Sequence, residues 1–365
     1  MYRTSSLFIT LPPNCMTERP SSFHENVLAI DQFASGGNEG EHAVSACCSD
    51  IRELTRLGLH QHPTLDVTDV YPDGLFDRSV NIEVAPYAFP RDAAGKLWSR
   101  AFWHGLRQLD FRGKHVAEVG VGPGTNALGI LRQNPTDLHV SDYDRRMTFL
   151  LDRNLRHAVN GGVITPDQAG RVVRHTGRRN LADWARNGGH RFDLLIGCLP
   201  QARLESGVDI HEGDAGSHVY DPTLYTSEFN DWHLGLNDAF LRQVSGNGDR
   251  DPLLKANGDG TPGSVILNFA GRPGEDKIQE IFRRNGFEPR VLHREIIQVD
   301  PNPGPHTFAA EEAHLASQDK HGFEFYSDPA GNHKINARQA LEIHDQGRPV
   351  YHSILVVQGT LLHKH

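Results

Sequence analysis

From residue 114 onward, short apolar runs alternate with stretches of helical periodicity. A buried parallel strand is a near-continuous apolar run, whereas an amphipathic helix repeats its apolar positions every three or four residues. The runs of strand type are 115–119, 138–141, 172–175, 193–197, 265–269, 291–299 and 351–359. This pattern predicts an α/β fold built on a Rossmann-like, seven-stranded, mostly parallel sheet covered on both faces.

The N-terminal third has a different pattern. Residues 24–35 and 42–58 favour helices, and the second segment repeats apolar residues at helical spacing. Residues 59–97 contain four prolines, too many for a regular helix, so we interpret them as an extended connection. Residues 98–110 again have the pattern of an amphipathic helix.

These patterns predict the domain organisation. Residues 1–22 are expected to be flexible, and residues 23–97 to form a helical cap with its extended connection. Residues 98–365 are expected to form the main domain. Two stretches, 202–228 and 301–348, interrupt its regular spacing and are interpreted as insertions that serve as lids or binding loops.

Composition narrows the range of partners. The 365 residues include 37 Lys and Arg against 46 Asp and Glu, giving a formal charge of −9, which disfavours nucleic-acid and anionic-membrane binding. No run of eighteen apolar residues occurs, so no membrane span is predicted. The four cysteines include no CxxC pair and are read as reduced thiols of a cytoplasmic protein. A homodimer is left open.

The chain is rich in histidine, with 22 residues of this type. Two short pairs, His60 with His62 and His363 with His365, have the look of metal ligands. Neither pair has cysteine or carboxylate partners at zinc spacing. The sequence therefore predicts solvated histidines and no metal site.

A glycine-rich turn is the strongest local signal. The strand at 115–119 runs into Gly120, Gly122 and Gly124, and a helical pattern follows. Glycines permit positive φ angles and the close approach of a ligand to the backbone, as a nucleotide requires. A dinucleotide fingerprint places its third glycine at the position occupied here by Thr125, which disfavours an NAD-dependent oxidoreductase.

Two acidic residues accompany this turn. Glu118 precedes the first glycine by two residues and suits a ligand with a positive or N–H-bearing group. Asp142 ends the second strand, where an acid commonly binds ribose hydroxyls. Together they resemble the S-adenosylmethionine (SAM) site of Rossmann-like methyltransferases; the alternative is a glycine-rich turn beside two solvated acids. The predicted cofactor-binding residues are Glu118, Gly120, Gly122, Gly124, Asp142, Asn180 and Cys198.

The motif after the fourth strand indicates which kind of nucleophile the site accepts. N-methyltransferases often carry an Asn or Asp, two prolines and an aromatic residue here, whereas this chain has Cys198, Leu199, Pro200 and Gln201. Cysteine is a poor acceptor, so the site suits a thioether, which has no proton to lose and needs no general base. No catalytic residue is therefore predicted. Aromatic faces can hold a sulfonium; the candidates are Tyr220, Tyr225, Phe229 and Trp232.

Several segments resemble methionine S-methyltransferase, a SAM-dependent enzyme of the class I superfamily. They are GCLPQ at 197–201, DWHLGL at 231–236, NFAGRPG at 268–274, FRRNGF at 282–287, QVD at 298–300 and FEF at 323–325. The resemblance runs from about residue 80 to the end, with a looser likeness over 27–58. The turn departs from the plant pattern, reading GVGPGT in place of GCGNGW. The resemblance is to the methyltransferase part of the plant members, which also carry an aminotransferase-like C-terminal region.

The resemblance implies the stand-alone bacterial form, which S-methylates free L-methionine as a first step toward dimethylsulfoniopropionate (DMSP). It also implies that Arg272 pairs with the substrate carboxylate and that Asp231 or Glu228 accepts its ammonium. The predicted substrate-binding residues are Pro200, Gln201, Tyr220, Tyr225, Asp231, Trp232 and Arg272. Two alternatives remain open: N- or O-methylation of another amino-acid-like metabolite, and an inactive SAM-sensing subunit.

Overall fold

The computed structural model describes residues 63–85, 88, 93–176, 181–203, 224, 227–246, 250–255, 262–299 and 305–362. The chain divides between residues 62 and 63, and every described residue belongs to the second unit. The helices predicted at 24–35 and 42–58, the predicted flexible segment 1–22 and both histidine pairs lie outside the described residues.

Most strands of the described residues join one sheet. They are β1 Thr64–Asp66, β2 Asn81–Glu83, β3 His115–Val119, β4 Asp137–Asp142, β5 Val172–Thr176, β6 Leu194–Gly197, β7 Ser264–Ala270, β8 Phe287–Gln298, β9 Glu324–Tyr326, β10 Lys334–Asn336 and β11 Tyr351–Leu361. Nine of these form a sheet in the order β10-β9-β11-β7-β6-β3-β4-β5, with β8 also paired to β11. β1 and β2 form a separate antiparallel pair.

The topology confirms the predicted fold class, although the described sheet has nine strands and not the predicted seven. Strands β3 to β7 pair in parallel, and β11 is antiparallel to both β7 and β8. All seven predicted strands are present in this α/β, mostly parallel sheet. The strand order changes direction beside β3, and in such sheets ligands bind beyond the carboxyl ends of the strands at that point.

Helices connect and cover the strands. They are α1 Ala93–Leu106, α2 Thr125–Arg132, α3 Arg145–Asn160, α4 Pro166–Gly170, α5 Asp183–Asn187, α6 Gly235–Ser245, α7 Glu275–Arg284, α8 His306–Ala316 and α9 Ala337–Asp345. Local chemistry sets several boundaries. The Asp144 side chain accepts the Arg146 N–H and caps α3, while Asn336 and Gln339 form a capping box at α9. None of the described helices is long and apolar enough to cross a bilayer.

The stretch predicted as an irregular insertion at 301–348 is ordered where the structure describes it. It contains α8, β9, β10 and α9, and β9 extends the main sheet by pairing with β11. The expectation of irregular structure was therefore wrong for residues 305–348. Strands of three residues are too short to show an alternating pattern in the sequence.

Two apolar cores lie on the two faces of the sheet. One includes Phe240 of α6 and Phe282 of α7, and the other includes Phe102 of α1 and Leu128 of α2. Part of the predicted extended connection belongs to the second core, because Ile82 of β2 is fully buried there. At least this part of the connection is therefore packed into the main domain.

Candidate active site

The glycine-rich turn links β3 to α2 and supplies the backbone of the site. Gly120, Gly122 and Gly124 have φ angles of 76°, 54° and 93°, all in the region that favours glycine. Gly124 is also confined by packing, because a Cβ there would lie 2.3 Å from Cδ1 of Leu151. The sequence pattern thus corresponds to a turn that residues with side chains would strain or block.

Asp142, at the end of β4, is held against this turn. Its Oδ2 accepts the Gly122 N–H at 2.9 Å, and its Oδ1 accepts the Asp144 N–H at 3.0 Å. Burial raises the pKa of Asp142 to about 7, although these backbone donors favour the ionised form. The carboxylate is fixed in orientation and is costly to ionise while no ligand is bound.

Glu118 of β3 is fully buried beside the turn. Its Oε1 accepts a hydrogen bond from Asn126 Nδ2 at 2.9 Å, while its Oε2 has no partner among the described residues. Burial raises the pKa of Glu118 to about 8. A buried carboxylate with a free oxygen is unfavourable alone and becomes favourable when a cation or N–H donor reaches it.

A cavity of about 350 Å³ opens beyond the carboxyl ends of the central strands. It is lined by Trp98, Ser99, Phe102, Gly120, Val121, Gly122, Thr125, Asn126, Asp142, Tyr143, Asp144, Met147, Cys198, Leu199, Pro200, Gln201, Asn268 and Arg272. Among the described residues, no histidine, lysine or glutamate lines it. The cavity brings together seven predicted site residues: Gly120, Gly122, Asp142, Cys198, Pro200, Gln201 and Arg272.

The strand-end motif forms another part of the cavity wall. Burial raises the pKa of the Cys198 thiol to about 12, so it stays protonated at neutral pH. Asn268 Nδ2 lies 3.9 Å from the Cys198 sulfur, and Asn268 Oδ1 is buried without a partner in the described part of the chain. Gln201 hydrogen-bonds the Ala270 backbone through both its Nε2 and its Oε1. Its amide therefore joins the ends of β6 and β7.

Arg272 lies just after β7, and its guanidinium carbon is 4.3 Å above the centroid of the Phe308 ring. No carboxylate in the described ranges lies within 4 Å of its guanidinium nitrogens, although the charge of Glu311 acts on it. Burial lowers the pKa of Arg272 to about 10, so the group remains a cation at neutral pH. Arg272 thus presents a positive charge to the cavity, supported by an aromatic face.

Other predicted residues are not brought to this cavity. Asp231 is 2.8 Å from Lys320 Nζ and 3.8 Å from Arg203 Nε, Glu228 pairs with Arg284, and Trp232 packs in the core. None of the three lines the cavity. Asn180, Tyr220 and Tyr225 lie outside the described residues. Gly124 and Glu118 adjoin the cavity without lining it.

Several residues that line the cavity were not predicted from the sequence. Trp98 and Phe102 are four positions apart on α1, and this spacing places them on the same helix face. Asn126 is the second residue of α2, and Asn268 lies inside the apolar run of β7. A polar residue inside a buried strand is a detectable signal, because a buried amide needs a partner.

No model of a protein family matches the sequence. The chain is 24% identical over 291 residues to methionine S-methyltransferase of Zea mays and 23% identical over 291 residues to that of Hordeum vulgare. Each match covers 75% of this chain and 25% of the relative, so the chain spans about a quarter of the length of these curated relatives. The similarity confirms the resemblance predicted from the sequence motifs.

Solved methyltransferase structures are also similar. Magnesium protoporphyrin IX methyltransferase of Synechocystis, with bound SAM, matches 59% of this chain and 82% of its own at 12% identity, with a TM-score of 0.33. Precorrin-6y C5,15-methyltransferase of Geobacter metallireducens matches 70% of this chain and 85% of its own at 11% identity, with a TM-score of 0.33. Because both TM-scores are below 0.5, neither structure supports a conclusion about this chain.

Proposed function

We propose that this chain is a SAM-dependent methyltransferase that converts free L-methionine to S-methyl-L-methionine. The observation that carries the proposal is the cavity itself, which combines the glycine turn and Asp142 with the cation of Arg272 and a protonated Cys198. The similarity to methionine S-methyltransferases of plants supports the same substrate. By the same resemblance, we propose that the product enters DMSP synthesis.

The buried polar atoms fit SAM. Three acceptors lack partners among the described residues and lie in or beside the cavity: Glu118 Oε2, Asn126 Oδ1 and Asn268 Oδ1. SAM carries an ammonium, a sulfonium and two ribose hydroxyls, which are the donors and cations that such acceptors need. We assign the ribose to Asp142, by its place at the end of β4, and the amino-acid part to the neighbourhood of Glu118.

The substrate carboxylate is assigned to Arg272. A guanidinium forms paired, charge-assisted hydrogen bonds with a carboxylate, and such bonds are stronger than neutral ones. Because Arg272 is at least partly withdrawn from water, its contact with an anion is less screened than a surface contact. Asp231 is not proposed as the ammonium partner, because Lys320 and Arg203 already accompany it.

The chemistry needs alignment and no proton transfer. SAM supplies an electrophilic methyl group; its bond to the donor sulfur breaks as a bond to the methionine sulfur forms, so the positive charge passes from one sulfur to the other. The chain's part is to orient both sulfurs and exclude water. Trp98 and Phe102 supply apolar wall, and the neutral Cys198 thiol adds no competing charge.

The domain organisation follows as part of the proposal. Residues 98–365 form the methyltransferase domain, and the described part of the connection, residues 63–85, packs against this domain. The burial of Ile82 in the second core supports this packing of the connection.

The proposed function is tested by incubating the full chain with SAM and each of the twenty amino acids. We expect a product 14 mass units heavier, by mass spectrometry, from methionine alone. Norleucine replaces the sulfur with CH₂, so it should compete with methionine for binding yet remain unmethylated. Methylation of an amine- or hydroxyl-bearing amino acid, with methionine untouched, would instead establish the N- or O-methyltransferase alternative.

A further inference from the structure

Three histidine rings from distant parts of the sequence meet on one face of the sheet. His139 belongs to β4, His175 to β5, and His190 to the turn between α5 and β6. Each offers a ring nitrogen, and these three atoms all lie within 4.8 Å of one another. His139 Nδ1 and His175 Nε2 are 2.9 Å apart, with the two rings nearly parallel. None of the three lines the candidate active site.

Aromatic neighbours hold these rings in place. The Trp184 indole stacks on His175 with a centroid separation of 3.9 Å, and its Nε1 donates to Ser141 Oγ at 3.0 Å. The Phe192 ring meets His139 edge-on, with centroids 5.2 Å apart. His139 is buried, while His175 and His190 are half-buried, so the cluster is rigid on one side and open to small solutes on the other.

The Asp137 carboxylate lies near Nε2 of the buried His139 ring. Asp137 Oδ1 lies 3.8 Å from His139 Nε2 and is buried with no hydrogen-bond partner in the described part of the chain. Asp137 Oδ2 is 2.7 Å from His115 Nδ1. In metal sites a carboxylate commonly faces the distal nitrogen of a ligating imidazole and fixes its tautomer. Here it faces Nε2, which leaves the Nδ1 lone pair of His139 directed at the other rings.

Asp137 is the charged neighbour of the cluster. No lysine or arginine is within 4 Å of Asp137 in the described ranges; its Oδ2 is engaged by His115, so only its Oδ1 is left for a further partner.

We propose that His139, His175 and His190 bind one divalent transition-metal ion, Zn²⁺ in the first instance, with water as a fourth ligand. Zinc takes imidazole nitrogens at about 2.0–2.1 Å in tetrahedral geometry, which places neighbouring donor atoms about 3.3 Å apart. The observed separations of 2.9 Å and up to 4.8 Å bracket that value. Mg²⁺ prefers oxygen ligands, so three imidazoles do not form a suitable site for it.

The bound ion would be structural. β5 is the last strand at its edge of the sheet, and the ion would tie it to β4 and to the turn before β6. This inference is independent of the proposed function, since the cluster shares no residue with the cavity. The sequence could not predict it, because its members are separated by 36 and 15 residues and follow no ligand spacing.

The test measures metal binding by the full chain after chelator treatment. Zn²⁺ affinity is determined by competition with a chromophoric chelator, and Co²⁺ substitution reports geometry through its visible absorption. We expect one tight site with a tetrahedral Co²⁺ spectrum, and a rise in melting temperature with Zn²⁺. His190→Gln and His175→Gln should each weaken Zn²⁺ binding at least tenfold and abolish that rise, whereas His321→Gln, an exposed residue outside the cluster, should change neither.

His190 lies outside the strands, so His190→Gln is the variant least exposed to folding defects. The proposal is overturned if this variant binds Zn²⁺ as tightly as the unsubstituted chain, or if Co²⁺ gives no tetrahedral spectrum. Binding elsewhere, for example at His104, His293 and Glu295, would persist in both cluster variants and be recognised by that persistence. Either contrary result would mean that the three histidines only pack together, with one hydrogen bond between His139 and His175.

Discussion

The free energy needed to ionise Glu118 depends on whether a ligand is bound beside it. In the free protein, burial raises its pKa to about 8, well above the ordinary value of 4.5. A bound cation favours the ionised form and returns the pKa toward its ordinary value. Binding SAM at a pH below 8 must therefore displace a proton from Glu118. Asp142 has a pKa of about 7, so at lower pH it too must lose a proton when SAM binds.

We predict that SAM affinity falls as the pH is lowered from 8 to 6. Below the free-protein pKa of Glu118, the dissociation constant should rise by about tenfold per pH unit for one displaced proton. Calorimetry in buffers of different ionisation enthalpy measures both the affinity and the proton release. Glu118→Gln should bind SAM more weakly at pH 8 and lose most of this pH dependence, whereas Glu342→Gln, on an exposed face of α9, should retain it. A dissociation constant independent of pH in the unsubstituted chain would contradict the assignment.

Arg272 is predicted to discriminate between the two ligands. Arg272→Ala should weaken methionine binding by about 1.5–3 kcal/mol, because a hydrogen-bonded contact between charged groups is lost. SAM affinity should remain, since the proposed SAM contacts lie at Glu118 and Asp142. Titrations of each ligand separately make the comparison, with Arg283→Ala, an exposed residue of α7, as the matched control. Equal loss of both affinities would remove Arg272 from the substrate site.

The elements that position the site follow from the sequence to different degrees. The boundaries of β3 agree with the predicted run at 115–119, because five consecutive residues with a mostly apolar pattern bounded by glycine are unambiguous. The turn and Asp142 were predictable for the same reason: both are fixed by a strand end. Contacts between distant segments, such as those of Asn268 with Cys198 or of Gln201 with Ala270, depend on packing and leave no local pattern.

The turn between β3 and α2 depends on Gly124 for two separable reasons. A residue with a side chain at its φ of 93° is strained by about 1–2 kcal/mol, and its Cβ would also collide with the buried Leu151. Gly113 has a φ of 68° with nothing within 4 Å of a Cβ, so an alanine there would introduce backbone strain without a collision. We predict that Gly124→Ala lowers the free energy of unfolding by about 1–3 kcal/mol more than Gly113→Ala, through overpacking. Chemical denaturation measures both; equal losses would show that Leu151 yields freely.

At the scale of the whole molecule, the sheet places the glycine turn and the Arg272 cation along one edge. The turn follows β3, the Cys198 motif follows β6, and Arg272 follows β7, and these three strands are consecutive neighbours in the sheet. Parallel strands bring their carboxyl ends to the same edge, so residues more than 150 positions apart line one cavity. The sheet order thus explains how the residues proposed to bind SAM and those proposed to bind methionine come to share one cavity.

This arrangement yields a prediction about the reaction itself. With both ligands saturating, kcat should be independent of pH between 6 and 9, because methyl transfer from the SAM sulfonium to a thioether sulfur moves no proton and Cys198, with a pKa of about 12, stays protonated. The ratio kcat/KM for SAM should fall below pH 8, because it reports the protein before SAM binds, in which Glu118 must still lose its proton. Steady-state rates with each substrate varied in turn separate the two profiles. A kcat that rises with pH along a single ionisation would indicate a general base, and would favour an amine or hydroxyl nucleophile over the methionine sulfur.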